Sequence, residues 1–163
     1  MKKELIIDID ISEKKYLVSK YNENTLDPEL REYLINELIG ENLSSNVVLS
    51  IDTKFKVTEE EAESYSLMIR REFKESINEL LYESGNSDVQ KISLFLIGLL
   101  FLLSSYLLDS VAGEIFSQIL MVFGWVALWE VAYSIFFTDS SRRRRNKRYK
   151  QLLNAKIVFN NIK

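Results

Sequence analysis

Two N-terminal segments alternate apolar and polar residues, and a helix-like segment lies between them. In residues 4–11 and again in 47–57, isoleucine, valine, leucine or phenylalanine tends to take every second position, with acids, lysines and serines between them. A period of two residues predicts half-buried strands. Asp27 followed by Pro28 is typical of a helix start, and Gly40 of a helix end. Strand, helix and strand in this order predict a right-handed βαβ unit with parallel strands.

A second, longer helix is predicted from Thr58, where a capping box of Thr and acids stands at the first turn. Its buried stripe continues to about Ser84, and we expect residues 85–88 (Gly-Asn-Ser-Asp) to break or bend the chain. Residues 12–26 follow no clear period, which predicts either a ligand or partner loop or disorder. Near the end, segment 156–162 predicts a strand that could complete the sheet.

Two long apolar runs follow the predicted head. Residues 92–108 are 17 positions without a charge, and residues 115–137 are 23 positions that include Gln118 and Glu130. A helix needs about 20 apolar residues to cross about 30 Å of hydrocarbon. The short connection, residues 109–114, predicts an antiparallel return. The alternative is a buried helical hairpin in a soluble protein, but a head this small could not cover both helices.

Charge is distributed unevenly around these runs. Residues 1–91 carry a net charge of −8, residues 92–137 carry three acids and no base, and residues 138–163 carry a net charge of +8. Positive residues after the second run and none in the connection place both termini in the cytoplasm. Residues 1–13 do not read as a signal peptide. The pattern predicts a prokaryotic inner-membrane protein.

These observations define a fold class and three segments. The class is α+β with a membrane part, in which a two-helix transmembrane hairpin is attached to a small cytoplasmic βαβα domain. The predicted segments are a cytoplasmic domain at 1–88, the hairpin at 89–137 and a basic cytoplasmic tail at 138–163.

The basic tail and two tryptophans are predicted to anchor the chain at the inner leaflet. A nucleic-acid-binding role is the weaker interpretation, because a basic cluster directly after an apolar run serves to stop transfer and to bind anionic lipid. The aromatic residues are typical of the membrane interface. The predicted anchoring residues are Arg142, Arg143, Arg144, Arg145, Lys147, Arg148, Trp125 and Trp129.

The chain has no cysteine and no histidine. Disulfides, thiolate or imidazole metal sites, cysteine nucleophiles and the commonest general base are therefore excluded. Asp8 and Asp10 form a D-x-D pair, but alternation on a strand gives the same spacing for a solvated face. We predict no catalytic residue, cofactor or metal, and no enzymatic activity.

Glu130 is the most informative residue of the apolar runs. It lies seven residues before Phe137, about 10 Å inside the end of the run. An acid at that depth is costly and usually faces protein, water or an ion path. Ala127 and Ser134 fall on its side of the helix, so the three are pore or gating candidates. The alternative is a structural role, with Glu130 protonated and hydrogen-bonded to the first span or directed toward the arginines.

Small residues recur along both runs at the spacing of a helix face. Close helix approach in lipid requires such residues. The predicted packing positions are Gly98, Ser105, Gly124 and Ala127. Thin helices with small faces and an inward acid predict association of several copies.

The segment 124–130 (GWVALWE), with the arginine run and the strand near 156–159, resembles a group of small bacterial and archaeal two-span membrane proteins without an established activity. The resemblance implies the topology and transfers no function. In architecture alone, the predicted chain is similar to membrane effectors of bacterial antiphage systems.

The favoured hypothesis is an oligomer in which the cytoplasmic domain senses a ligand or protein partner and the spans form or gate an ion pathway. Such a protein would perturb the membrane, as an antiphage effector does. The alternative is a membrane-anchored adaptor or scaffold whose hairpin only anchors it. The predicted partners are membrane lipid and further copies of the chain, with nucleic acid not among them.

Overall fold

The computed structural model describes the backbone of residues 4–160, and their side chains except for residues 109–112. The chain mixes helices and strands and divides into two compact units. The head unit comprises the residues up to Glu79 and those from Arg144 onward, and the hairpin unit comprises Leu80–Arg143. The elements are β1 (Glu4–Ile11), a 3-10 turn (Lys14–Tyr16), β2 (Val18–Ser19), β3 (Asn22–Leu26), α1 (Pro28–Glu37), β4 (Asn46–Thr53), α2 (Glu59–Ala112), α3 (Glu114–Tyr133), a π-helical turn (Ser134–Thr138), α4 (Asp139–Leu153) and β5 (Lys156–Phe159).

The head unit is built on a parallel sheet in the order β1-β4-β5. The alternation in the sequence places one set of side chains on the covered face. The predicted parallel arrangement of the first two alternating strands is confirmed by the pairing of β1 with β4. The predicted C-terminal strand is confirmed over Lys156–Phe159, and residues 161 and 162 of that prediction lie outside the described part of the chain. The buried sheet residues are Ile7, Ile9, Ile11, Val47, Leu49, Ile51, Thr53 and Phe159.

Helices α1, α2 and α4 contact one another in the head unit. Arg31 of α1 pairs with Glu72 of α2 at 3.2 Å. The rings of Phe73 in α2 and Tyr149 in α4 have centroids 6.1 Å apart. Arg70 of α2 donates hydrogen bonds to the carbonyl of Leu153, the last residue of α4, and to that of Ala155 beyond it. These contacts fix the direction in which the chain leaves α4 and enters β5.

Segment 12–26 is folded, which corrects the expectation of a loose loop. The 3-10 turn leads into an antiparallel ribbon of β2 and β3. Leu17 and Leu26 are fully buried, and the Asp27 amide donates to the Leu17 carbonyl at 3.1 Å. Burial of a few isolated apolar residues therefore orders a segment in which the sequence shows no period.

Helix α2 is continuous for 54 residues, so the predicted break at 85–88 is wrong. One internal glycine costs a helix only about 1 kcal/mol relative to alanine, so Gly85 alone does not end α2. The predicted six-residue connection at 109–114 is also wrong, because α2 continues to Ala112 and α3 begins at Glu114. Gly113 alone lies between them, with φ of +88°, a conformation that residues with a Cβ rarely adopt.

Among the described residues, two helices are long and apolar enough to cross a membrane, within Glu59–Leu108 and Glu114–Leu153. Only 11 % of the most apolar window of each helix is buried inside the protein. A core helix of a soluble protein would be mostly buried. The large apolar side chains here, such as Leu100, Tyr106 and Phe136, are instead more than half exposed.

Candidate functional site

The predicted packing residues lie where α2 and α3 approach most closely. A Cβ added to Gly124 would lie 2.7 Å from Leu102 Cγ and 3.0 Å from the Gly98 carbonyl oxygen. A Cβ added to Gly98 would lie 3.2 Å from Ala127 Cβ. Glycine at both positions thus allows backbone-to-backbone approach, the kind of contact that associates helices in lipid.

Ser105 of α2 and Ser117 of α3 form a reciprocal pair of hydrogen bonds. The Ser105 hydroxyl donates to the Ser117 carbonyl at 2.7 Å, and the Ser117 hydroxyl donates to the Ser105 carbonyl at 3.1 Å. Both residues are buried. Since Gly98 meets Gly124 and Ser105 meets Ser117, the contact order is reversed and the helices are antiparallel. The sequence marked Ser117 only as a small residue.

Glu130 lies on the outside of this helix pair. Its side chain is exposed, and it has no hydrogen-bond or ion-pair partner among the side chains that the structure describes. Ala127 is buried against Gly98, and Ser134 is half-buried. The three pore candidates are therefore not equivalent, because Ala127 contacts the neighbouring helix while Glu130 does not.

The structural alternative for Glu130 required a partner in the first span. Ser105 is instead bonded to Ser117. Tyr106 is 82 % exposed and forms no hydrogen bond with the Glu130 carboxylate. Within the described residues the carboxylate thus reaches neither the serines of α2 nor an arginine. The π-helical turn Ser134–Thr138 begins four residues later, and such turns occur frequently at functional sites.

Around Glu130, α3 exposes a surface of large apolar and aromatic side chains. Trp125 and Trp129 are 64 % and 74 % exposed, and Val126 is 60 % exposed. The predicted anchoring tryptophans are thus on the outer surface, where lipid or another chain can contact them.

A cavity of about 560 Å³ opens near the turn between α2 and α3. Ser105 and Ser117 line it, together with Tyr106 and Gln118, whose amide donates to the Glu114 carboxylate at 3.1 Å. This cavity was not predicted from the sequence, because the residues that line it come from two different helices. Gln118 as a polar member of an apolar run was the one available signal.

A charge cluster joins the beginning of the first apolar run to the end of the second. The Lys91 ammonium lies 2.6 Å from the Asp139 carboxylate and 3.0 Å from Asp88, and Arg142 lies 3.7 Å from Asp139. Burial alone lowers the pKa of Lys91, but the hydrogen bonds to Asp139 and Asp88 outweigh this effect and raise the pKa above its ordinary value. The cluster connects α2 to α4 within the hairpin unit.

The predicted anchoring bases of α4 have different surroundings. Arg143, Arg144, Arg145 and Lys147 are exposed, whereas Arg142 and Arg148 are half-buried. Arg145 donates to the Tyr149 hydroxyl at 3.0 Å and lies over its ring. Lys147 lines a cavity of the head unit. Their role in lipid anchoring stays a prediction.

The D-x-D pair lies in an acid groove of about 570 Å³ in the head unit, lined also by Asp27 and Glu29. Asp8 and Asp10 are exposed, as expected for a solvated strand face. A search of the described residues finds no group of three or more acids that could hold a metal ion. Tyr33 also lines the groove. Its pKa is raised, mainly by burial and secondarily by the negative charge of the neighbouring Glu37.

No family model matches the chain, and no curated protein and no solved structure matches it either. Support for a function comes from the chain's own residues. It consists of the outward Glu130, the cavities of the head unit and the long apolar helices.

Proposed function

We propose that the chain is a prokaryotic inner-membrane protein with two spans, 92–108 and 115–137, and with both termini in the cytoplasm. Support comes from the small buried share of each apolar helix and from the bases on the flanks of the runs but not between them. In this arrangement residues 1–88 and 138–163 are cytoplasmic, and residues 89–137 form the hairpin.

Strand pairing in the head unit supports an even number of crossings. Strand β4 precedes both apolar runs and β5 follows them, yet Val48–Ile51 pair with Lys156–Phe159 in one sheet. If the runs cross a membrane, the chain must return to the side from which it left. A two-span hairpin does this.

Glu130 is the observation that carries the functional proposal. The contacts between α2 and α3 use Gly98, Gly124, Ser105 and Ser117 and leave the Glu130 carboxylate exposed and unpaired. Facing lipid, a carboxylate at this depth would cost several kcal/mol. The protein avoids this cost when further copies surround the residue or when it faces water.

The function proposed is therefore an oligomer whose spans form or gate an ion pathway lined by Glu130. Half-buried Ser134 would extend the polar lining that begins at Glu130 toward the cytoplasm. The π-helical turn that begins at Ser134 would allow the end of α3 to change its direction. The head unit would sense a ligand or partner and bias the pathway. A chain of this kind perturbs a membrane on demand, as an antiphage effector would.

The second candidate is an adaptor whose hairpin only anchors it. It is favoured by the Lys91–Asp139 cluster, which stabilises a helix pair without any need for a pathway. The two candidates differ in what they require of Glu130, since an anchor has no use for a carboxylate at this position.

The decisive experiment compares ion flux in liposomes containing the wild-type chain, E130Q, E130L and the control E114Q, which removes an exposed acid at the start of α3. We expect E130L to abolish flux and E130Q to change its rate or selectivity, while E114Q retains it. The proposal also predicts oligomers larger than a dimer by native mass spectrometry in detergent. Equal flux in all four proteins, or no flux in any of them, would leave the adaptor as the function.

A further inference from the structure

A cavity of about 360 Å³ in the head unit has two lysines in its lining. We call it the lysine pocket. It lies between one face of α4, which contributes Lys147 and Lys150, and the turn at residues 43–47 that leads into β4. Its lining contains no acidic and no aromatic side chain, although residues 1–91 carry a net charge of −8.

Within the part of the chain that the structure describes, the two lysines have no ion-pair partner. Neither ammonium group forms an ion pair or hydrogen bond with any side chain that the structure describes. They are three residues apart on one helix, where like charges repel by a few tenths of a kcal/mol. A bound anion would relieve this repulsion and supply the missing partner.

The opposite wall of the pocket is held in place by the same helix. Gln151 of α4 donates to the carbonyls of Asn42 and Ser45, at 3.0 Å each. Asn42 in turn accepts from the Ser44 amide at 2.9 Å, which closes a tight turn. The hydroxyls of Ser44 and Ser45 form no hydrogen bond within the described residues, so the wall offers donors beside the lysines.

We propose that the lysine pocket binds a phosphate-bearing ligand. Lysine binds phosphate as a point charge, hydroxyls add hydrogen bonds, and the volume is that of a small-molecule site rather than of a bare ion. No aromatic residue is present for stacking, so recognition rests on the phosphate groups. The proposal rests on the proposed function in one respect, that the head unit is the sensing part.

Two sources supply this chemistry. A soluble phosphorylated molecule could enter from the cytoplasm. A phospholipid headgroup could also reach the pocket, because Lys147 follows the second apolar run by ten residues, about three helical turns. Both sources present the same group to the same lysines.

The test measures how fast individual lysines of the full chain are acetylated in nanodiscs, with mass-spectrometric readout. Lys156 of β5, exposed and outside the pocket, is the internal control. Pyrophosphate is added to phosphatidylcholine discs in one arm, and phosphatidylglycerol discs without pyrophosphate form the other. We expect labelling of Lys147 and Lys150 to slow at least about fivefold in one arm, with Lys156 unchanged. Protection in the first arm identifies a soluble ligand, and protection in the second identifies a headgroup.

Variants provide the second measurement. K147Q/K150Q should weaken binding of the protecting phosphate by about tenfold or more, whereas K156Q should bind as the wild type does. E130L should also bind normally, so failure of the ion pathway and failure of the pocket are distinguishable. Equal labelling of all three lysines in both arms, or unchanged binding by K147Q/K150Q, overturns the proposal.

Discussion

Replacement of Gly124 by alanine tests the close approach of α2 and α3. The added methyl would lie 2.7 Å from Leu102 Cγ, which is not the flexible end of that side chain, and 3.0 Å from the Gly98 carbonyl. Relief of such overlap requires the helices to separate. Overpacking of this kind costs about 1–3 kcal/mol, while alanine returns about 1 kcal/mol of helix propensity.

Gly85 provides the matched control. Like Gly124 in α3, Gly85 lies inside a helix, here α2. A Cβ added to Gly85 would meet nothing within 4 Å. Both substitutions gain the same helix propensity, so the difference between G85A and G124A isolates the packing cost, about 1–3 kcal/mol. G85A alone should stabilise the chain by up to about 1 kcal/mol.

Unfolding in mixed micelles by added sodium dodecyl sulfate measures both values. The chain has two tryptophans, Trp125 and Trp129, and both lie in α3, so their fluorescence follows the hairpin unit. If G124A unfolds at the same detergent fraction as G85A, the glycine contact does not exist. If G85A unfolds earlier than the wild type, α2 is not a regular helix at that position.

Two further predictions concern the contacts on either side of the glycines. S105A/S117A removes both interhelical hydrogen bonds and should destabilise the hairpin by roughly 1–2 kcal/mol; an unchanged midpoint in the same micelle assay would contradict the pairing. The pKa of Lys91 is raised in the folded state, so its stabilising effect is fully present below its ordinary value of 10.5 and disappears as the pH rises through the folded value. The thermal midpoint of K91M should therefore lie below that of the wild type at neutral pH and approach it at strongly alkaline pH. A difference in midpoint that does not depend on pH would show that the charge of Lys91 does not stabilise the cluster with Asp139.

Local signals in the sequence predicted much of the head unit. The Asp27 side chain accepts hydrogen bonds from the amides of Glu29 and Leu30, as the N-cap prediction required. The capping box forms, with the Glu61 amide donating to the Thr58 hydroxyl at 3.2 Å. These signals succeed because donor, acceptor and spacing all lie within one helical turn.

The wrong predictions have two physical causes, helix continuity and burial. At 85–88 and 109–112 the weak preferences of single residues are overridden by the helix on both sides, since a continuous helix satisfies every backbone group. In segment 12–26 the fold buries Leu17 and Leu26, although the sequence of this segment shows no apolar period. Propensity is a weak prior where tertiary contacts or long helices compete with it.

The candidate sites were partly visible in the sequence. A helical period relates Ala127, Glu130 and Ser134 to one another, but it does not say which of them contacts α2. The lysine pocket left no local pattern, because Lys147 and the turn at 43–47 are about a hundred residues apart. The pairing of β5 with β4, together with the hydrogen bonds from Gln151 to Asn42 and Ser45, brings these segments into one unit.

That pairing also sets the time at which the protein can finish folding. Ser50 in β4 and Asn160, which bonds to it, are 110 residues apart. At a synthesis rate of about 5–20 residues per second, the ribosome delivers the last strand roughly 5–20 s after β4. Throughout that interval the central strand β4 has one open edge. A chain released a few residues early would keep that edge permanently available to its neighbours.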